Sequence, residues 1–119
     1  MAEGAYRVVP IHGTVKMVVW EGITHGDTGQ VFDMKDYALD SIQGKGTWGG
    51  ATVTCYGSND SEAGSPEFNA LKDIFGGTVA LVTGAKLFHL AAGVNLVYPA
   101  EASGDVTTDV DVFMRIRRI

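Results

Sequence analysis

Residues 110–117 alternate without a break: Val110, Val112, Met114 and Ile116 fall on one face, with Asp111, Phe113, Arg115 and Arg117 on the other. A period of two is the signature of a strand with one face on a core. Shorter runs of the same character recur along the chain. Tyr6–Ile11, Thr14–Trp20, Gln30–Met34, Ser41–Lys45, Ala51–Tyr56, Val79–Val82, Lys86–Ala91 and Val94–Tyr98 are rich in β-branched and aromatic residues and are bounded by Gly, Asn, Asp or Pro. In Thr14–Trp20, Val15, Met17 and Val19 alternate with Lys16, Val18 and Trp20, so Trp20 shares a face with a lysine and is expected at a partly exposed or interface position. Asp36–Asp40 reads as a helical turn. Phe68–Phe75 fits a short helix through Phe68, Leu71, Ile74 and Phe75, or a strand over Phe68–Leu71.

The stretch from Asp40 to Asp60 organises these runs. Thr47-Trp48-Gly49-Gly50 separates two of them, and a Gly-Gly pair in that setting predicts a β-hairpin, because glycine reaches positive φ without a Cβ clash. Ala51, Val53 and Cys55 would then point inward and Thr52, Thr54 and Tyr56 outward. Gly57-Ser58-Asn59-Asp60 closes the stretch with turn formers, Asn59 and Asp60 among them. Seven to nine short strands with turn signals between them predict an all-β, single-domain antiparallel sandwich or jelly roll. The domain is expected over 1–119, with a short N-terminal arm at about 1–5.

Composition narrows the class. The chain has 119 residues, 45% hydrophobic and 19% charged, enough for one folded core. Sixteen glycines against three prolines suit many tight turns. The formal charge of −5 disfavours non-specific nucleic-acid binding, and no apolar run approaches the ~20 residues of a membrane span. There is no signal-peptide pattern at the N-terminus. The single cysteine, Cys55, cannot form an internal disulfide and is read as a small buried hydrophobe.

Catalytic chemistry finds little support. His12, His25 and His89 form no metal-ligand spacing, and no nucleophile elbow, Walker loop or dinucleotide fingerprint is present. Asn59-Asp60 with Glu62, and Asp105 with Asp109 and Asp111, offer oxygen donors of the kind calcium takes, but their spacing matches no EF-hand. The expectation is therefore no catalytic residue, no metal and no cofactor. The one basic cluster is Arg115, Arg117 and Arg118 on the last strand. It reads either as an edge protected by charge or as a contact for an acidic partner.

Several motifs carry a resemblance. Asp27-Thr28-Gly29, Asp40-Ser41-Ile42-Gln43, Gly46-Thr47-Trp48-Gly49-Gly50-Ala51-Thr52-Val53 and Gly57-Ser58-Asn59-Asp60 resemble a group of small structural proteins of tailed bacteriophages. Gly104-Asp105, Thr107-Thr108-Asp109-Val110 and the closing arginines resemble the same group's last strand. The chain departs from the group after Asp60, at Ser61-Glu62-Ala63, and again before Tyr98-Pro99. The resemblance implies a head decoration (capsid cement) protein with a jelly-roll or discoidin-like β-sandwich: a non-enzymatic virion protein on the capsid surface, made in the host cytoplasm. Its partners would be the major capsid protein and further copies of itself, a trimer being one such assembly. Arg115, Arg117, Arg118 and Trp20 are the candidate contacts. Tail or fibre location is the alternative, as is a carbohydrate-binding adhesin that would use Trp20, Trp48 and Tyr56 at a loop end.

Overall fold

The computed structural model describes residues 3–35, 37–59, 66–83, 87–89 and 94–118. Among these, every regular element is a strand. In chain order they are β1 (Glu3–Gly4), β2 (Tyr6–His12), β3 (Val15–Thr24), β4 (Thr28–Gly29), β5 (Phe32–Asp33), β6 (Tyr37–Thr47), β7 (Thr52–Ser58), β8 (Asn69–Ala70), β9 (Ala80–Leu81), β10 (Leu87–His89), β11 (Leu96–Ala102) and β12 (Asp109–Arg118). They form two sheets. One runs β10-β6-β12-β3-β2; the other runs β1-β4-β11-β7-β8, with β5 beside β11 and β9 beside β7. The fold is thus the all-β sandwich expected from the alternation. Its pairings are antiparallel except β1 with β4, where Glu3–Gly4, inside the expected N-terminal arm, lies parallel to Thr28–Gly29.

The core lies between the sheets. Val110, Val112, Met114 and Ile116 of β12 are all at most 1% exposed, as their spacing requires, and they meet Val53, Val97 and Leu81 from the other sheet. Cys55 is buried among them, as expected, and burial pushes its thiol well above the usual range.

Four local expectations are corrected. First, the Gly49-Gly50 turn is real but is no hairpin. Its Ala51 amide donates to the Trp48 carbonyl at 2.9 Å, and Gly49 and Gly50 have φ of 55° and 79°. Yet β6 pairs with β12 and β10, while β7 pairs with β11, β8 and β9. The turn carries the chain across the sandwich. Trp48 is the reason: its indole sits in the core, in a space left by Gly44, where a Cβ would lie 2.6 Å from Cη2. A wedge of that size holds the strands about 10 Å apart, as stacked sheets are, rather than at the ~4.8 Å of a ladder.

Second, Trp20 is core, 1% exposed, with its indole N–H donating to the Gln30 carbonyl at 2.9 Å. Lys16 shares the face, as the alternation says, but at the end of the sandwich its ammonium lies 5.3 Å from the Tyr37 ring centre. A lysine stem covers apolar surface there while its head leaves the core. Third, of the two readings of Phe68–Phe75 the strand holds, as β8 within Phe68–Leu71, and the helix does not form: Leu71 is buried, whereas Ile74 and Phe75 are exposed at a turn closed by Asp73. Fourth, Tyr37–Asp40 belongs to β6 and not to a helical turn. Asp60 and Ser61–Ser65, including the Asn59-Asp60-Glu62 calcium candidate, lie outside the described residues except for Asn59.

Candidate docking face

Which side chains share the outer face of the five-stranded sheet follows from strand register. Leu87 of β10, Gln43 of β6, Phe113 of β12, Val19 of β3 and Arg7 of β2 stand in one row. His89, Ser41, Arg115, Met17 and Val9 stand in the next. Directly opposed residues in a ladder project from the same face. The centre of this face is apolar and its margin charged. Phe113, Met17, Val19, Val9, Ile11 and the Arg7 stem line a hollow of about 180 Å³. Phe113 and Met17 also border an adjoining one of about 570 Å³, with Gln43, Gly44, Lys45 and Gly46. Val19 is 3% exposed although its register places it on this outer face.

The charges are arranged locally. A register shift opposite Arg115/Ile116 leaves Asp40 unpaired in the β6–β12 ladder. Its carboxylate then accepts from Arg117 Nε at 2.8 Å and lies 3.8 Å from Arg115 Nε. Arg7 Nε donates to Glu21 at 2.6 Å, and Asp111 accepts from the Gly22 amide at 2.9 Å. Two guanidiniums therefore share one carboxylate, and Lys45 has no ion-pair partner among the described residues. On a chain of formal charge −5, this is a face without an acidic excess. Of the three arginines expected to act together, Arg115 and Arg117 stand here. Arg118 has the opposite parity, in register with Tyr37 at the strand's end, and is exposed there.

Among the described residues the loop end offers no comparable surface. Trp20 and Trp48, named as adhesin aromatics, are both buried. Instead three loops are knitted together around Glu101, whose side chain is fully buried. Its Oε1 accepts from the Gly26 amide at 3.1 Å and lies 3.0 Å from His25 Nδ1. Thr108 Oγ1 donates to the Trp48 carbonyl and accepts from the Asp105 amide, while Asp105 Oδ1 accepts from the amide and hydroxyl of Thr107. Those two bonds from Thr107, the hydroxyl foremost, hold the Asp105 carboxyl below its usual range. His25–Glu101 has the form of a histidine–carboxylate pair. Thr24 Oγ1 is engaged by Asp27, Thr108 Oγ1 by Trp48, and Cys55 is buried in the core. Among the described residues no three His, Cys, Asp or Glu side chains cluster at metal-binding distance, and Asp105, Asp109 and Asp111 do not converge.

No known protein family and no curated protein matches the chain by sequence. Among solved structures it is similar to the SPBc2 prophage-derived protein YomS, with a TM-score of 0.62 at 15% identity, covering 90% of this chain and 97% of that one. Weaker likenesses are to KdgF from a Halomonas species and to the K1 cleaved adhesin domain of Lys-gingipain from Porphyromonas gingivalis W83. Each has a TM-score of 0.39 at 12% identity; they cover 96% and 98% of this chain, and 80% and 85% of those chains. The first of these likenesses shows the fold: the chain is a small all-β sandwich of the architecture found in that prophage-derived protein.

Proposed function

We propose that the chain is a non-enzymatic structural protein of a bacteriophage virion that binds the outer capsid surface and cements the head. The observation that carries this reading is the outer face of the five-stranded sheet: broad, with an apolar patch bordered by Arg7, Arg115, Arg117 and Lys45 among the carboxylates of Glu21, Asp40 and Asp111. Interface cores are enriched in aromatic residues, Met and Arg, which is the make-up of Phe113, Met17, Arg7 and Arg115. Strands of three, eleven, ten, ten and seven residues, at ~3.3 Å per residue and ~4.8 Å apart, give the face roughly 650 Å², somewhat below one partner's share of a standard interface. The motif resemblance to phage decoration proteins and the prophage origin of the similar structure support a virion role.

The partner that fits is a capsid surface with an apolar patch bordered by carboxylates, opposite Lys45, Arg115 and Arg117. Repeated copies on a lattice, each making a modest contact, hold tightly through multivalency, and self-association on the shell adds to that. Phe113→Asp places a carboxylate in the apolar centre. Mixed with undecorated capsids of the parent phage, wild-type protein is expected to bind and raise the heat resistance of the heads, more weakly as salt increases. Phe113→Asp is expected to lose occupancy while keeping the wild-type melting temperature within a few degrees. Wild-type protein that never binds capsids ends the cement reading. Binding that survives Phe113→Asp keeps the role but moves it to another surface.

A further inference from the structure

The outer face of the seven-stranded sheet has a different chemistry. Register places Thr28, Ala100, Thr54 and Ala80 in one row across β4, β11, β7 and β9. Ala102 and Thr52 lie on one side of that row, and Tyr98, Tyr56 and Ala70 on the other. Across β11, β7 and β9 these three rows contain no charged residue. Among the described residues, ionisable groups stand at its margins: Glu3 in register with Thr28 on β1, Asp33 in the row beyond Tyr98, and Lys72, whose ammonium donates to Thr78 Oγ1. The two tyrosine rings stack at 5.4 Å, and Phe68 meets Tyr98 edge-on at 4.9 Å, so an aromatic wall rises beside a floor of alanine and threonine. Tyr98, Phe68, Val31, Thr28 and Gly29 enclose a hollow of about 230 Å³. Thr28, Thr52, Thr54, Tyr56 and Tyr98 are all half-buried, and their hydroxyls are the polar groups of this face.

We propose that this face binds an uncharged saccharide. A sugar ring has an apolar C–H face and an equator of hydroxyls, and it needs an aromatic edge or face for the first and neutral donors and acceptors for the second. The floor and wall supply both. The floor and wall offer no cation to an anionic glycan, and the carboxylate of Glu3 at the β1 margin disfavours one further, so a neutral ring is the better fit. The hollow is smaller than the ~300–1,000 Å³ pockets that enclose drug-sized ligands, so it takes one ring of a longer chain lying across the strands. Shallow seating of this kind gives affinities of roughly millimolar order per site. The inference stands apart from the docking proposal, since the two outer faces of a sandwich point in opposite directions. On a docked particle this one looks outward.

The test is a titration of ¹⁵N-labelled protein with a panel of neutral hexose and N-acetylhexosamine oligosaccharides, with heparin as the anionic control. At least one neutral oligosaccharide is expected to shift amides of β7 and β11 at about 10 mM or below. Ala100→Glu, which puts a charge in the floor, and Tyr98→Ala, which removes the wall, should each weaken that binding at least about tenfold. Phe113→Asp, on the opposite face, should leave it unchanged. Should Tyr98→Ala fail to fold, Thr54→Glu takes its place. The proposal is overturned if no neutral oligosaccharide shifts this face, if only heparin binds, or if binding is indifferent to the substitutions in the floor and wall.

Discussion

Replacing Gly49 by alanine should destabilise the protein more than replacing Gly50, although the two are adjacent and both have positive φ. The left-handed conformation costs a residue with a Cβ about 1–2 kcal/mol, and this applies at both positions. Their surroundings differ. At Gly50 an added Cβ has only the Ser103 carbonyl oxygen near it, at 3.6 Å, an ordinary contact. At Gly49 the same atom collides with the Asp105 carboxylate and lies 2.8 Å from Thr107 Oγ1. Those groups are bonded to each other and close the β11–β12 loop, so relief requires the loop itself to shift. Steric overfilling of a packed site adds about 1–3 kcal/mol. Against this, alanine restricts the unfolded chain and returns about 0.4–1 kcal/mol at either site. The balance is about 2–4 kcal/mol for Gly49→Ala and about 0.5–1.5 kcal/mol for Gly50→Ala. Urea denaturation with a shared m-value measures both. Equal losses within about 0.5 kcal/mol, or a larger loss at Gly50, would refute the assignment of the Gly49–Asp105 contact.

Three further outcomes follow from the same structure. Cys55, buried and with its thiol pushed up, should react with a thiol reagent only after unfolding; rapid labelling of native protein at pH 8 would place it at the surface. Asp105 has a folded pKa below its unfolded value, so its stabilising contribution is complete above the unfolded value, about 4, and is lost as pH falls through the folded one. Asp105→Asn should therefore flatten the decline in melting temperature below about pH 4, and an unchanged acid limb would count against the Thr107 bonds. Arg115→Ala with Arg117→Ala should cost less than about 1 kcal/mol of stability, because their pairs with Asp40 are solvent-exposed, and yet should weaken capsid binding. A large loss of stability would make those arginines structural.

What was legible in the sequence was what depends on near neighbours. The alternation of β12, the burial of Cys55 and the positive φ of Gly49 and Gly50 are properties of a few consecutive residues, and each appears as read. What was not legible depends on partners far along the chain. A Gly-Gly turn between two strands has the same local chemistry whether the strands pair or part, and only the burial of Trp48 between the sheets decides it. Trp20 was misplaced because a lysine two turns of the pleat away normally marks a solvent face, whereas Lys16 lies at the sandwich's end over Tyr37. The Phe68–Phe75 spacing suits a helix, but Leu71 alone faces the core and the Asp73 side chain closes a turn instead. The candidate docking face shows the same limit. Arg115 and Arg117 were visible as a pair, but the apolar centre beside them comes from Met17, Val19, Val9 and Phe113 on three strands. No local pattern joins those residues.

The central claim is that the five-stranded sheet lies against the shell, and cryo-electron microscopy of the intact virion, with this chain fitted into the density on its surface, tests it most directly. The account predicts density for the sandwich on the outer face of the head, with Phe113, Met17 and Arg115 turned toward the major capsid protein and Tyr98 turned away. Density for the chain only in the tail, or on the head with Tyr98 against the shell and Phe113 facing solvent, would contradict it.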